Sequence, residues 1–232
     1  MTRWLGGLPW RRQRRFPWPL ALTQADVARR GLARGVQVVR IRSLRVADRQ
    51  AWQRLRLGED DRLAPWEATL PPGSGEVLPT FARHVRCQNR SARRGEAMSL
   101  VVEVDGDFAG QIAVAPIVWG PLRSACLGYW IGSLWEGRGI MALAVAMVLD
   151  ELLGPEAGLH RVEINVRPDN ARSCAMCERL GMRDEGLRRG FMHGQDGWAD
   201  HLSYAVVADD PVAVTGFVAR LERAATGRKT DA

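Results

Sequence analysis

The chain has 232 residues, of which 46% are hydrophobic, enough for one large domain or for one domain and an arm. Its formal net charge of +7 is uneven, because residues 1–50 hold twelve arginines against two aspartates and the rest of the chain carries a net charge of −3. Four scattered cysteines argue against a disulfide scaffold, and the lack of any run of about 18 apolar residues argues against a transmembrane helix or a secretory signal. We therefore expect one folded unit in the reducing cytoplasm, with no membrane partner.

Residues 1–36 combine clusters of tryptophan, proline and arginine, and we predict that they form a basic arm outside the core, with a short helix over residues 23–34. Interleaved Trp and Arg suit stacking on RNA bases and contact with phosphates, or adsorption to an anionic membrane surface. The alternative is a mobile tail without a function of its own. The sequence leaves this choice open.

From residue 37 the apolar residues become periodic. Alternation over residues 38–42 predicts a strand, and helical spacing over 46–56 and 80–94 predicts two helices, the second of them basic. A proline-rich stretch between these helices, residues 63–75, predicts a loop. Residues 99–104 and 108–115 flank an Asp-Gly-Asp turn and form the clearest hairpin signal, and residues 125–131 predict the next strand. Together these elements indicate an α+β fold.

A glycine loop follows that strand. Gly137 and Gly139 precede ten consecutive apolar residues, 140–149, which predict a helix buried nearly all round. Glycines allow backbone N–H groups to approach a phosphate without hindrance from Cβ, and a helix that begins there adds unpaired donors and its positive dipole end. A Gly-x-Gly alone is most often a plain turn. After a strand and before a buried helix, it predicts a site that holds a pyrophosphate.

The elements after the buried helix complete the domain. Residues 159–166 predict a strand, Asn170 and Gly181 are the expected N-cap and C-cap of a helix, and residues 185–207 predict a second long hairpin. Residues 211–223 predict a last helix. Cys174 and Cys177 have the C-x-x-C spacing of redox and zinc motifs, but no second Cys/His pair completes a metal set. We expect this pair to pack on the helix and expect no metal site.

The order of elements and three motifs resemble the GNAT superfamily of acyl-CoA N-acyltransferases. The motifs are Tyr-Trp-Ile-Gly-Ser-Leu-Trp-Glu-Gly-Arg-Gly-Ile-Met at 129–141, Arg-Pro-Asp-Asn-Ala-Arg-Ser at 167–173 with Glu-Arg-Leu-Gly-Met at 178–182, and Asp-Gly-Trp-Ala-Asp-His-Leu at 196–202. They look like the RimJ/RimL-type branch, which acetylates protein N-terminal amines, those of ribosomal proteins among them. The resemblance implies a GNAT domain over residues 37–208, whose mixed, mostly antiparallel sheet of about seven strands is flanked by helices and has two strands splayed apart. Residues 209–232 remain as a C-terminal helix and tail.

Acetyl-CoA is the co-substrate that this resemblance implies. Its pantetheine arm would pair with the backbone of one splayed strand, and its pyrophosphate would bind the amides of the glycine loop, with Arg138 adding a charged contact. One departure from the superfamily pattern is Leu134, which stands where Gln or Arg is usual, so we expect weaker binding without loss of the site. The predicted cofactor-binding residues are Trp130, Ile131, Gly132, Glu136, Gly137, Arg138, Gly139, Ile140, Met141, Asn170 and Ser173.

Direct transfer from a thioester to an amine needs deprotonation of the amine, a donor for the oxyanion and a proton for the leaving thiolate. Many superfamily members use a tyrosine on the helix that follows the splayed pair, and Cys177 occupies the matching place here. Ser173, which matches the serine proposed for RimL-like members, is the predicted acid, with helix capping as its structural alternative. Asn170 is expected to contact CoA, or to cap the helix only.

Glu163 is the predicted general base, because strand parity turns it away from the apolar layer, and an ordinary surface ion pair is its alternative. Glu103, His160 and His193 are further candidates. An amine with a pKa of about 8 needs little help, so a dedicated base is not required. The closing motif also holds two residues with an expected structural role at the sheet edge, Asp200 and His201.

The resemblance thus implies an acetyl-CoA-dependent N-acetyltransferase that acts on a protein N-terminal α-amine, with a ribosomal protein as the leading acceptor. The positive charge of residues 1–50 would favour encounter with the ribosome or its rRNA. Acetylation of a small amine, such as an aminoglycoside or a polyamine, is the competing enzymatic function. A non-catalytic acyl-CoA-binding or RNA-binding module is a third hypothesis. The sequence does not distinguish a monomer from a dimer.

Overall fold

The computed structural model describes residues 16–75 and 79–230, with side chains as far as residue 227. Its strands are β1 (Ala21–Gln24), β2 (Val39–Ser43), β3 (Met98–Val104), β4 (Asp107–Val118), β5 (Ser124–Ile131), β6 (Arg161–Val166), β7 (Arg183–Gly194) and β8 (Gly197–Val207). Its helices are α1 (Arg49–Gly58), α2 (Asp60–Leu63), α3 (Phe81–Arg94), α4 (Ile140–Leu153), α5 (Ala171–Leu180), α6 (Pro211–Thr215) and α7 (Phe217–Thr230). Both predicted hairpins are present, as β3–β4 and β7–β8.

The strands form one sheet in the order β1-β2-β3-β4-β5-β6-β8-β7. Every neighbouring pair is antiparallel except β5 and β6, which run parallel. This arrangement confirms the predicted mixed, mostly antiparallel sheet flanked by helices. The described residues form eight strands where about seven were expected, and the extra strand is β1.

The prediction of an arm over residues 1–36 is wrong for residues 16–36. Strand β1 extends the sheet by pairing with β2, and the predicted helix over residues 23–34 is absent. Apolar side chains of this stretch are buried in the main core, among them Phe16, Leu20, Val27 and Leu32. The frequent Trp, Pro and Arg residues concealed these anchors, because composition carries no information on tertiary packing. The remainder of the predicted arm, residues 1–15, lies outside the described residues.

Helix α4 is the centre of the core, as its sequence predicted. Every side chain from Ile140 to Leu149 is buried, because the helix packs against the sheet on one side and against α7 on the other. The predicted last helix is divided at Gly216, whose φ of +88° favours glycine. Asp150 of α4 accepts hydrogen bonds from the amides of Phe217 and Val218, at 2.7 and 3.1 Å, and so fixes the start of α7. Among residues 16–75 and 79–230, none of the helices combines the length and the hydrophobicity that a membrane span requires.

Helix α3 covers the opposite face of the sheet. Its Val85 is buried against Val101 of β3 in a small separate cluster, whereas the neighbouring Leu100 and Val102 belong to the core around α4. The amide of Arg83 donates to the Thr80 hydroxyl, which caps the N-terminus of α3. The sheet therefore separates α3 from the glycine loop at the start of α4.

Candidate active site

A cleft opens where β5 and β6 part. The two strands pair only between residues 124–126 and 161–163, although β5 continues to Ile131 and β6 to Val166. A cavity of about 230 Å³ lies between the parted strands and takes wall residues from both, such as Tyr129 and Asn165. Parallel strands that separate expose backbone and admit a ligand in extended form.

The glycine loop lies at the end of β5 and offers free backbone donors. Within the described residues, the amides of Gly137, Arg138 and Gly139 donate to no protein acceptor, and the first hydrogen bond of α4 runs from Leu143 to Gly139. Gly139 has a φ of +85°, and a Cβ there would stand 2.9 Å from the Leu32 carbonyl oxygen. Consecutive unpaired N–H groups at a helix start attract an anion. The loop therefore has the geometry of a phosphate site.

Positive side chains surround this loop. Arg34 donates to the Gly137 carbonyl at 2.5 Å, and its amide donates to the Arg138 carbonyl at 2.8 Å. The guanidinium of Arg138 lies 5.6 Å from the ring centre of Trp135. Arg34 falls within the stretch that the sequence assigned to the arm, so sequence reasoning missed it.

Glu136, a predicted cofactor-binding residue, is already engaged. Its carboxylate pairs with Arg172 at 2.6 Å and also with Arg62, and its amide donates to the Ser133 carbonyl at 3.1 Å. A carboxylate beside a phosphate site is unfavourable unless cations neutralise it. Glu136 therefore holds two arginines next to the loop and has no free donor for a phosphate.

The exposed backbone of β5 is shorter than predicted. The amide of Gly132 donates to the Ala109 carbonyl at 2.9 Å, so Gly132 is turned towards β4 and has no free amide for a ligand. Because backbone groups alternate along a strand, Trp130 is also turned towards β4, and Ile131 faces the open edge. There the Ile131 carbonyl accepts a hydrogen bond from Arg62 at 2.6 Å.

A glutamate on the other side of the loop supports the same segment. Glu59 accepts from the amide and the hydroxyl of Ser133, at 2.8 and 2.6 Å. Desolvation by itself would raise the pKa of Glu59, but these hydrogen bonds and Arg62 lower it overall. The short α1–α2 region thus holds the end of β5 in place through side chains that the sequence did not single out.

Ser173, the predicted acid, lines the cleft and is not a cap. The capping residue is Asn170, whose side chain accepts a hydrogen bond from the Ser173 amide at 3.1 Å, and Asn170 lines the cleft as well. Both predicted caps of α5 are confirmed, since Gly181 ends the helix with a φ of +81°. The hydroxyl of Ser173 is left available for chemistry.

Tyr129 is a functional candidate that the sequence reasoning missed. Its hydroxyl is buried beside Ser173, Cys174 and Cys177 and has no hydrogen-bond partner of normal geometry among the described residues. Burial raises the pKa of the Tyr129 phenol far above its usual value and raises that of the Cys177 thiol to about 12. Both groups therefore keep their protons. The tyrosine that the superfamily pattern led us to seek on α5 has a counterpart on β5.

The far end of the cleft is formed by residues that are distant in sequence. Trp66, in a 3-10 turn of the predicted loop, and Glu67 after it face His193 and His201 of the β7–β8 hairpin. Thr69 ties this segment to the hairpin, because its amide donates to the His193 carbonyl at 2.8 Å. Glu67 pairs with Arg56. His201 is buried and its Nδ1 lies 3.0 Å from the Ala199 carbonyl.

Residues 39–183 match the protein family described as acetyltransferase (GNAT) domain, which is more than half of the chain. The chain belongs to the GNAT acetyltransferase family. A solved structure of RimJ from Mycobacterium smegmatis in complex with CoA-disulfide is similar, with 32% identity, a TM-score of 0.76, and coverage of 91% of this chain and 96% of that one. The predicted GNAT fold and RimJ/RimL-type resemblance are thereby confirmed.

Two curated relatives agree with this assignment. The [ribosomal protein uS5]-alanine N-acetyltransferase of Escherichia coli (strain K12) is 26% identical over 170 residues, which is 71% of this chain and 86% of that protein. The probable N-acetyltransferase YjcK of Bacillus subtilis (strain 168) is 33% identical over 106 residues. That match covers 46% of this chain and only 58% of YjcK.

Most of the predicted bases lie outside the cleft of this GNAT domain. Glu163 accepts from Arg161 at 2.8 Å and from Arg188 at 2.9 Å, at a position where β5 and β6 are still paired, so the geometry favours its ion-pair alternative. Glu103 pairs with Arg42 at 2.6 Å on β3. His160 is exposed and does not line the cavity. Of the four candidates, only His193 borders it.

The cysteines do not form a metal site in the described residues. Cys174 and Cys177 are free thiols on α5, the second of them buried, and no group of three His, Cys, Asp or Glu side chains in that part of the chain is arranged to hold a metal ion.

Proposed function

We propose that this protein is an acetyl-CoA-dependent N-acetyltransferase that modifies the α-amine of a protein N-terminus, with a ribosomal protein as acceptor. The observation that carries the proposal is the pairing of two features that follow each other along the chain: the cleft where β5 and β6 part, and the three unpaired backbone amides between β5 and α4. The similarity of this chain to RimJ and to the uS5-alanine N-acetyltransferase supports both the proposed co-substrate and the proposed acceptor. Neither the small-amine nor the non-catalytic alternative gains comparable support.

The binding half of the proposal assigns each end of CoA to a part of the site. The diphosphate would bind the amides of Gly137, Arg138 and Gly139, and the positive end of α4 would favour its charge. Arg34, Arg138 and other nearby arginines supply the countercharge. Much of this affinity comes from the main chain, which explains why Leu134, with its exposed side chain, is tolerated in place of a polar residue.

The amides of Ile140 and Met141 extend the same donor surface. Both residues lie in the first turn of α4, where N–H groups have no intrahelical acceptor. The side chains themselves are buried and serve the core. We infer that these two residues contribute to phosphate binding through the backbone alone.

The acceptor amine would enter from the end of the cleft lined by Trp66, Glu67 and His193. Beyond them, the side-chain oxygen Oδ1 of Asn165 is buried without a hydrogen-bond partner among the described residues, and Asn165 lines the cavity. A buried acceptor atom without a donor is unfavourable unless a ligand satisfies it. An amine N–H supplies that donor, so we assign the positioning of the acceptor nitrogen to Asn165.

The chemical step is attack of the neutral amine on the thioester carbonyl carbon, followed by loss of the CoA thiolate. Ser173 would donate a hydrogen bond to the leaving sulfur. The buried phenol of Tyr129, which has no hydrogen-bond partner among the described residues, would turn to donate to the Ser173 oxygen, and the two hydrogen bonds would together stabilise the developing negative charge. A new C–N bond forms as the C–S bond breaks. The proton that the amine releases passes through water in the cleft and ends on the CoA thiol, so the step is balanced without a dedicated base.

Release of free CoA thiol tests the proposed function. The protein is mixed with acetyl-CoA and a panel of acceptors: peptides with the N-terminal sequences of ribosomal proteins, the same peptides acetylated in advance, and small polyamines and aminoglycosides. We expect thiol release with the free peptides only. Release with the small amines and not with the peptides would contradict the proposed acceptor class, and CoA binding without release for any amine would contradict catalysis.

Contact with the ribosome through residues 1–36 stays a prediction. It is tested most directly on residues 1–15, which lie outside the described residues. A chain that lacks them should acetylate a free peptide at the same rate. We expect the shorter chain to acetylate intact ribosomal subunits more slowly than the full chain does. Equal rates would show that residues 1–15 do not contribute to ribosome contact.

A further inference from the structure

Helix α3 presents a row of arginines that no acidic residue in the described part of the chain neutralises. The helix has five arginines and no aspartate or glutamate over its fourteen residues, Phe81–Arg94. Spacings of three and four residues place four of them along one side of the helix. With one arginine from the segment that follows β2, they form what we call the arginine face: Arg45, Arg83, Arg86, Arg90 and Arg93, all exposed.

This face concentrates arginines that have no carboxylate partner among the described residues. Many other arginines are paired, as Arg42 is with Asp48 at 2.8 Å, and Arg94 at the end of α3 with Glu96 at 2.7 Å. In the structure of residues 16–75 and 79–230, the four arginines that α3 contributes to this face make no side-chain hydrogen bond or ion pair. Like charges held this close are unfavourable unless an outside partner neutralises them.

The arginine face borders a groove that would hold such a partner. The groove has a volume of about 510 Å³, and none of the described residues that line it is acidic. Asn89 adds an amide, although it is already bonded to Trp18 at 2.9 Å. Four residues of the arginine face, Arg45, Arg86, Arg90 and Arg93, line it together with Val46.

We propose that the arginine face binds the phosphodiester backbone of RNA. Guanidinium groups match phosphate geometry in a bidentate manner, and the row from Arg83 to Arg93 extends about 15 Å along the helix, enough for successive phosphates. A membrane partner would need exposed apolar side chains, and among the groove residues only Val46 is both large and exposed. The choice of RNA over an acidic protein rests on the proposed function, because ribosomal proteins are presented next to rRNA.

The position of α3 permits RNA and acetyl-CoA to bind together. Val85 packs against Val101 on one face of the sheet, and α4 with its glycine loop lies on the other. RNA on the arginine face would therefore anchor the enzyme beside its acceptor and leave the cleft open. This function is separate from the chemistry of the cleft.

Fluorescence anisotropy with a labelled short rRNA hairpin tests the proposal on the full chain. The variant combines Arg86→Gln, Arg90→Gln and Arg93→Gln, and the control combines Arg54→Gln, Arg183→Gln and Arg189→Gln, which remove the same charge from exposed positions elsewhere. We expect the Kd of the first variant to rise about tenfold or more and the slope of log K against log salt to fall by about 3, one unit for each lost phosphate contact. The control should match the parent chain.

Three results would overturn the proposal. The first is an equal loss of affinity in both variants, which would show that removal of any positive charge weakens binding, and the second is no loss of affinity in the first variant. Competition by poly-glutamate as effective as RNA at equal charge would also overturn it, in favour of an acidic protein partner. Both variants should melt at the parent temperature and acetylate a free peptide at the parent rate. If no chain acetylates any peptide, the proposed function fails, and the RNA result still stands on its own.

Discussion

The two ends of the proposed site are built from different parts of the chain. At the glycine-loop end, main-chain groups of consecutive residues face the phosphate position, and the sequence must supply glycine where φ is positive, as at Gly139. At the acceptor end, Glu67, Tyr129 and Asn165 come from three separate segments and meet only in the folded protein. A site formed by the backbone of consecutive residues can be recognised from a short sequence motif. A site formed by side chains from distant segments has no such motif.

The largest effect is expected at Ser173, because the acceptor end carries the chemistry. Ser173→Ala should lower kcat about 100-fold, the range for loss of a positioned proton donor, while KM for acetyl-CoA changes little. Steady-state kinetics with a free peptide measures both constants. An unchanged kcat would return Ser173 to a structural role.

Asn170→Ala is the matched control for this substitution. The Asn170 side chain accepts a hydrogen bond from the Ser173 amide and so caps α5. Removal of this side chain should therefore reduce the free energy of unfolding by about 1 kcal/mol. Ser173→Ala should leave stability nearly unchanged. Thermal denaturation of both variants therefore separates capping from catalysis.

Substitutions at the glycine-loop end should weaken CoA binding and leave the chemical step unchanged. Gly139→Ala forces a φ of +85° on a residue with a Cβ and brings that Cβ to 2.9 Å from the Leu32 carbonyl, so we expect a loss of about 1–3 kcal/mol in CoA affinity and in stability together. Gly137→Ala, with open space around its Cβ, should cost about 1 kcal/mol. Titration calorimetry with CoA measures the difference, and equal losses would show that the contact with Leu32 has no influence.

Tyr129→Phe should have a smaller effect on kcat, about tenfold, because it removes only the proposed hydrogen bond to Ser173 and leaves Ser173 itself beside the leaving sulfur. Since burial raises the pKa of this phenol, Tyr129 stays protonated over the whole working range. The rate should therefore rise with pH through the pKa of the acceptor amine, about 8, and reach a plateau. A fall in the parent rate between about pH 9 and 10 that disappears in Tyr129→Phe would show that the phenol titrates normally.

The smallest effect is expected from Glu163→Gln, at the residue that the sequence favoured as the base. Both of its oxygens are held by arginines away from the cleft, so kcat should stay within about twofold of the parent value and stability should fall by no more than about 1 kcal/mol. A large fall in kcat with an unchanged melting temperature would restore Glu163 as a catalytic residue.

The same division explains what the sequence could predict. Local periodicity and backbone geometry predict the succession of strands along the chain, the buried α4, and the caps Asn170 and Gly181. All of these features are present. Strand β1 was missed because its residues pair with β2 through tertiary context, within a stretch whose composition resembles a tail. Strand parity placed Glu163 correctly on its face, but the sequence carries no signal that Arg161 and Arg188 occupy both oxygens.

Tyr129 could have been found by the same parity argument. It follows Leu127 by two residues, so both side chains point to one face of β5, and that face meets α5 next to the parted strands. What the sequence could not supply is the distance between β5 and α5. The search for a phenol on α5 alone therefore ended at Cys177.

Backbone amide shifts give the most direct test of the phosphate site. In ¹⁵N-resolved NMR spectra of the full chain, addition of CoA should move the amide signals of Gly137, Arg138 and Gly139 downfield more than any others, because charged acceptors form strong hydrogen bonds with N–H groups. Pantetheine, which lacks the diphosphate, should leave these three signals in place. If CoA binds and these signals do not move, the glycine loop does not hold the diphosphate, and the cofactor site lies elsewhere in the molecule.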